Sequence, residues 1–208
     1  MKLKKSALLA AVMALCLLCG CGQKQEAEAT KETEPETADA EQKVTAYADI
    51  AVRDYGTITV ALCGEAAPET VENFITLAKD GFYDGLTFHR IMEGFMMQGG
   101  DPNGNGTGGS DRTITGEFSA NGIGNPLSHT RGAISMARAQ PFDSASSQFF
   151  IVHEDSTFLD GQYAAFGYVT EGMDVVDQVC KEAKPVDNNG TIPAEAQPVI
   201  DSITIREA

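Results

Sequence analysis

The chain has 208 residues, with 30 acidic against 15 basic side chains and a formal net charge of −15. Hydrophobic residues make up 42% and charged residues 22%; that ordinary globular usage excludes a chain disordered throughout, and the length fits one domain with appendages rather than the two larger lobes of a solute-binding protein. So acidic a surface argues against nucleic acid as a partner, and 21 glycines with no Trp favour a turn-rich β architecture over a helical bundle.

The N-terminus reads as an address rather than as fold. Lys2, Lys4 and Lys5 form a basic stretch, followed by an apolar run from Ala7 to Leu18. That run is short for a membrane span but right for a secretory signal. It ends in Leu18-Cys19-Gly20-Cys21, which resembles the lipobox of bacterial lipoproteins: an aliphatic residue, a tolerated second residue, a small residue, then Cys. The resemblance implies that residues 1–20 are removed, that Cys21 carries lipid, and that the protein sits on the extracytoplasmic face of the cell membrane. Cys19 stands where Ala or Ser is commoner, so an ordinary signal peptide remains the alternative. From Cys21 to Lys43 the chain is rich in Glu, Ala, Thr and Lys and has no large apolar residue. It cannot bury a core and is expected to be a disordered acidic tether.

The folded part is expected over residues 44–208. Val44–Arg53 and Gly56–Leu62 read as a hairpin turning at Asp54-Tyr55-Gly56. Pro68 to Lys79 reads as a helix. Pro68 suits its first turn, Glu69 and Glu72 complement its positive end, and Gly81 stops it. Val71, Phe74, Ile75 and Ala78 fall on one face, to be laid on a core. Further strands are expected at Thr87–Met92, Phe95–Gly99, Gly132–Met136, Gln148–Val152, Ala165–Val169 and Val199–Ile205. A second helix is expected between Val169 and Lys181, with Met173, Val176 and Cys180 inward. Many strands with a helix near each end point to a closed barrel capped by helices. Of the five cysteines, only Cys63 and Cys180 lie in this part, and they read as two isolated buried thiols.

Several motifs point to chemistry they do not carry. Gly104-Asn105-Gly106-Thr107-Gly108-Gly109 contains GxGxxG, but no strand leads into it and no helix follows. His89, His129 and His153 are too widely spaced for a metal site. Ser144-Ala145-Ser146-Ser147 lacks a nucleophile-elbow pattern.

The informative stretch is Phe88-His89-Arg90-Ile91-Met92-Glu93-Gly94-Phe95-Met96-Met97-Gln98-Gly99-Gly100-Asp101-Pro102. Alternation with a bend at Glu93-Gly94 puts Arg90 and Gln98 on one side, so a cation, an amide and an apolar wall line one surface. Alone, the same stretch also reads as a core hairpin with a snorkelling Arg. Two further signatures accompany it: Ile134-Ser135-Met136-Ala137-Arg138-Ala139 followed by Ser147-Gln148-Phe149-Phe150-Ile151, and Phe158-Leu159-Asp160-Gly161-Gln162-Tyr163 followed by Phe166-Gly167. Together, in this order, they resemble the cyclophilin family of peptidyl-prolyl cis–trans isomerases over about Val44 to Ile205.

The resemblance implies an eight-stranded antiparallel closed barrel with two capping helices, no cofactor, no metal, and a monomer acting on proline-containing polypeptides. It implies that Arg90 is catalytic, with Phe95 and Gln98 beside it. Phe95, Met96, Phe149 and Leu159 match the apolar proline pocket, and Gln98 and Gln148 the polar contacts to substrate backbone. Ala137, Arg138 and Ala139 match a ridge between that pocket and a neighbour. Arg138 stands where Asn is common, Phe158 where many eukaryotic members have Trp, and Tyr163 where they have His. The resemblance therefore implies cyclosporin binding, weakened by these departures. His89 is expected to support the site without a catalytic step. Combined with the signal, these residues point to a lipid-anchored isomerase for exported proteins. The alternative is a non-catalytic proline-peptide-binding module or holdase using the same groove.

Overall fold

The computed structural model describes residues 43–208; the signal, Cys21 and the tether up to residue 42 lie outside them. The chain runs β1 (Ala46–Val52), β2 (Gly56–Leu62), α1 (Pro68–Lys79), β3 (Thr87–Met92), β4 (Met96–Asp101), β5 (Ala133–Met136), β6 (Phe149–Val152), β7 (Ala165–Glu171), α2 (Met173–Glu182) and β8 (Ile200–Glu207). All eight strands join one antiparallel sheet in the order β3-β4-β6-β5-β7-β2-β1-β8. Register shifts in the β1–β8, β2–β7, β3–β4 and β5–β7 ladders deepen the local twist, as bulges do, and the sheet curls into a half-barrel.

The expected closed barrel is corrected here. β3 and β8 are the two ends of the sheet, and no ladder joins them. The free edge of β3 is met instead by irregular chain. Ile91 N–H donates to Gly190 O at 2.8 Å, Ile192 N–H to His89 O at 2.9 Å, and Phe88 N–H to Pro198 O at 2.9 Å. Single bridges pair Arg90 with Thr191 and Thr87 with Val199. Pro193 and Pro198 lack an N–H, so this segment cannot extend into a continuous ladder.

The inner face holds the main core. Phe74 of α1 packs against Tyr83, Phe166 and, edge-on at 5.5 Å, Phe149. Ile50, Ile58, Leu62, Phe88, Ile91, Met97 and Ile151 close around them. α2 turns Val175, Val176, Val179 and Cys180 inward, with Met173 only partly covered. Its start requires Gly172, whose φ is +87° and whose Cβ would lie 2.3 Å from Thr57 O. Cys63 and Cys180 are both free and buried, and burial raises the Cys180 thiol to about 12.

α1 begins without a side-chain cap from its own N-cap residue, Ala67. Its orphan donors are met from 48 residues away. The Glu117 carboxylate accepts Glu69 N–H at 3.0 Å, Thr70 N–H at 2.8 Å and the Thr70 hydroxyl at 2.7 Å. Glu117 is buried, so this one anion both satisfies the helix start and sits favourably at its positive end.

Candidate active site

The site lies on the opposite face of the same strands. β4 and β6 pair Gln98 with Phe150 and Met96 with Val152. Because side chains alternate along a strand, Met96, Gln98 and Phe150 face outward while Met97, Phe149 and Ile151 face the core. A second apolar cluster gathers there around Met96, Phe150 and Leu159, with Phe95, Ala137 and Tyr163 against it. A cavity of about 150 Å³ is lined by Arg90, Phe95, Met96, Gln98, Ala137, Arg138, Phe150, Leu159 and Tyr163.

This placement corrects one expected residue. Phe149 does not line the cavity; it is fully buried between Phe74, Tyr83 and Phe88. Its neighbour Phe150 takes the pocket position. The signal was available, since Gln148 faces the groove and a period of two carries the next groove position to Phe150. Arg90, Phe95, Met96, Gln98, Ala137, Arg138, Leu159 and Tyr163 do line it, whereas Gln148 and Ala139 line a neighbouring concavity. Phe158 stands at the rim, 66% exposed, with its ring 5.7 Å from that of Phe95.

Arg90 is held by chain distant in sequence. Its Nε donates to Asn189 O at 2.7 Å and its Nη1 to Gln98 Oε1 at 3.2 Å. Gln98 Nε2 donates to Gln148 Oε1 at 2.9 Å, and Gln148 Nε2 to Gly108 O at 2.7 Å. Two amides thus brace the guanidinium from behind, and Phe95 stands 5.9 Å from its carbon. Burial lowers the Arg90 pKa from its usual value, but guanidinium starts so high that the group stays charged.

Beyond Ala137 and Arg138 a second, polar concavity of about 370 Å³ opens, lined also by Ala139, Ser144, Ser146 and Gln148. Ala137 and Arg138 border both spaces, as a dividing ridge would, whereas Ala139, expected on the same ridge, lines only the second. The glycine-rich loop beside it wraps a carboxylate. Asp101 accepts the N–H groups of Asn103, Asn105 and Gly106 at 2.8, 3.0 and 2.5 Å.

Beneath Phe150 lies a relay whose successive members are 6 and 25 residues apart and form no motif along the chain. His129 stacks on Phe150 with ring centroids 6.0 Å apart. Its Nδ1 is 2.8 Å from Asp160 Oδ1 and its Nε2 is 2.9 Å from Ser135 Oγ. Serine, imidazole and carboxylate in line match the parts of a nucleophilic triad. Ser135 and His129 are both fully buried, however, and no substrate can reach the hydroxyl. The relay holds His129 against the back of Phe150 and so braces the pocket floor. His89 lies beneath Arg90, buried, and neither of its ring nitrogens has a hydrogen-bond partner among the described residues. Nor do any three His, Cys, Asp or Glu side chains among them gather as metal ligands.

The buried histidines make stability depend on pH. Burial lowers the pKa of His129, outweighing the opposing Asp160. Burial lowers that of His89 too, against Asp101. Folded, both take up protons only at lower pH than in the unfolded chain, where histidines are protonated below about pH 6.5. The unfolded state then binds more protons, so this stability is present above that pH and is lost as pH falls. Asp160 adds to the loss further down. Burial raises its carboxyl, but the Ser128 and His129 hydrogen bonds outweigh that and hold it low. The unfolding midpoint is expected to be lower at about pH 5 than at about pH 7.5. Melts at the two pH values check this, and equal midpoints would mean these histidines titrate normally.

The comparisons with known proteins agree with this geometry. The family model described as "Cyclophilin type peptidyl-prolyl cis-trans isomerase/CLD" matches residues 47–207. The chain is 51% identical over 123 residues to peptidyl-prolyl cis-trans isomerase B of Bacillus subtilis, covering 59% of this chain and 82% of that one. It is 47% identical over 137 residues to a peptidyl-prolyl cis-trans isomerase of Helicobacter pylori, covering 65% and 81%. Among solved structures, a Cryptosporidium parvum cyclophilin-type isomerase in the presence of the dipeptide Ala-Pro superposes with a TM-score of 0.68 at 28% identity, covering 78% of this chain and 99% of that one. With the family signature spanning the sheet, both helices and every residue of the groove, the chain belongs to the cyclophilin-type peptidyl-prolyl cis-trans isomerases.

Proposed function

We propose that the protein isomerises Xaa-Pro bonds in exported polypeptides at the membrane surface, as a monomer tethered through lipid on Cys21, and that Arg90 stabilises the twisted amide. The observation that carries the reading is a fixed guanidinium at a small cavity with Phe95, Met96, Phe150 and Leu159 in its wall, in a family whose members are named for this activity. The barrier to rotation is about 20 kcal/mol because the nitrogen lone pair is delocalised into the carbonyl. In the twisted state that delocalisation is lost and the prolyl nitrogen can accept a hydrogen bond. A donor placed there binds the transition state better than either ground state. Phe95, Met96, Phe150 and Leu159 hold the proline ring while the preceding carbonyl turns. No proton is transferred and no covalent bond forms, so neither His89 nor Ser135 is required in the chemistry. A protease-coupled assay on a short Xaa-Pro peptide tests the activity. A protein that binds the peptide without accelerating its isomerisation is the holdase instead.

Cyclosporin is expected to bind weakly, because Phe158 offers no indole N–H at the rim. For the anchor, Cys21→Ala is expected to abolish labelling by fatty acid and to release the protein from membranes. Equal labelling of variant and wild type would place the lipid elsewhere.

A further inference from the structure

Arg138 sits on the ridge between the two concavities, yet its guanidinium is turned into the protein. Nε and Nη2 both donate to Gln162 O, at 3.0 and 2.9 Å. Nη1 donates to Ala139 O at 3.0 Å and to Gln140 O at 3.3 Å. The guanidinium carbon lies 4.7 Å from the Tyr163 ring and 5.1 Å from each of the Phe118 and Phe142 rings. The cation thus links the ridge to a loop 24 residues on in the chain, inside a cage of three aromatic rings.

We propose that Arg138 is a positioning residue that ties the ridge to the Gln162–Tyr163 loop and thereby fixes Tyr163 as a wall of the proline cavity. The proposal rests on the prolyl-peptide reading above. A planar fork can bind one carbonyl through two donors, reach back to two more, and stack on rings at the same time. A lysine ammonium keeps the charge but does none of these together. With four of its five N–H donors committed to three carbonyls, Arg138 acts on the peptide chiefly through the width of the groove rather than by its own hydrogen bonds. Without the tie, ridge and loop move independently, and binding must order them first.

The test compares wild type with Arg138→Lys, Arg138→Gln and Phe142→Leu. Binding of an Ala-Ala-Pro-Phe peptide is measured by calorimetry, and turnover in the coupled assay. Both Arg138 variants are expected to raise Kd and KM together by about three- to tenfold, with a smaller change in kcat. Phe142 is 41% exposed and lies outside the cavity, so Phe142→Leu loosens the cage without threatening the fold. It is expected to raise Kd by about twofold. Wild-type affinity in Arg138→Lys overturns the proposal, because charge alone would then suffice. So does a loss confined to kcat. If the Arg138 variants fail to fold, Phe142→Leu decides, and an unchanged Kd overturns the proposal. A wild type that binds the peptide but does not turn it over overturns the isomerase reading alone, and the Kd comparison still stands.

Discussion

Replacing Arg90 by Ala is expected to lower kcat/KM on a short prolyl peptide by about ten- to a hundredfold, the equivalent of one charge-assisted hydrogen bond of about 1.5–3 kcal/mol in the transition state. The unfolding midpoint should barely move. Arg90 faces the groove, and its partners Asn189 O and Gln98 are reached by solvent when it leaves. Binding of the peptide should fall much less than turnover, since the ring is held by Phe95, Met96, Phe150 and Leu159. Arg90→Lys should recover little. The lysine has no Nε to hold on Asn189 O while a second donor points at the substrate, and placement is the whole contribution. Near-wild-type turnover in Arg90→Ala would end the proposed mechanism. A parallel loss of turnover and affinity would make Arg90 a binding residue only.

The largest effect on stability is expected at Glu117, far from the chemistry. Glu117→Ala removes the acceptor for two backbone N–H groups and one hydroxyl at the start of α1. Buried donors left without partners cost about 1–3 kcal/mol each, partly recovered as water enters. A net loss of about 3 kcal/mol corresponds to a fall in the midpoint of roughly 6–12 °C for a domain of this size. α1 carries Phe74, the centre of the aromatic core behind β6, so the loss should reach the groove as broadened or weakened peptide binding. Glu117→Gln keeps one acceptor oxygen and should fall between the two. A thermal melt of the three proteins decides, and an unchanged midpoint in Glu117→Ala would mean the helix start is satisfied by other means.

Local patterns in the sequence determined much of this protein. Pro68, the spacing of Val71, Phe74 and Ala78, and Gly81 bounded α1 as observed, because helix signals lie within a few turns of one another. Gly56–Leu62 and Thr87–Met92 were likewise readable as strands with their observed bounds. That Arg90, Gln98, Met96 and Leu159 share one cavity was legible because their motifs carry them in fixed order. What only the tertiary structure decided is which face each strand turns inward and which distant segments meet. Phe149 and Phe150 are adjacent and identical in chemistry, and alternation from Gln148 favours Phe150 only once it is known that Gln148 faces the groove. The pairing of β6 with β4 separates them, because it sets Phe150 beside Gln98. The barrel stays open because Pro193 and Pro198 deny the edge of β3 a continuous partner, which depends on where the chain after α2 returns. The bonds from Glu117 to α1, from Asn189 to Arg90 and from Arg138 to Gln162 span 24 to 99 residues. No local propensity encodes such contacts; they exist because burying one set of apolar faces brings these polar groups within reach of one another.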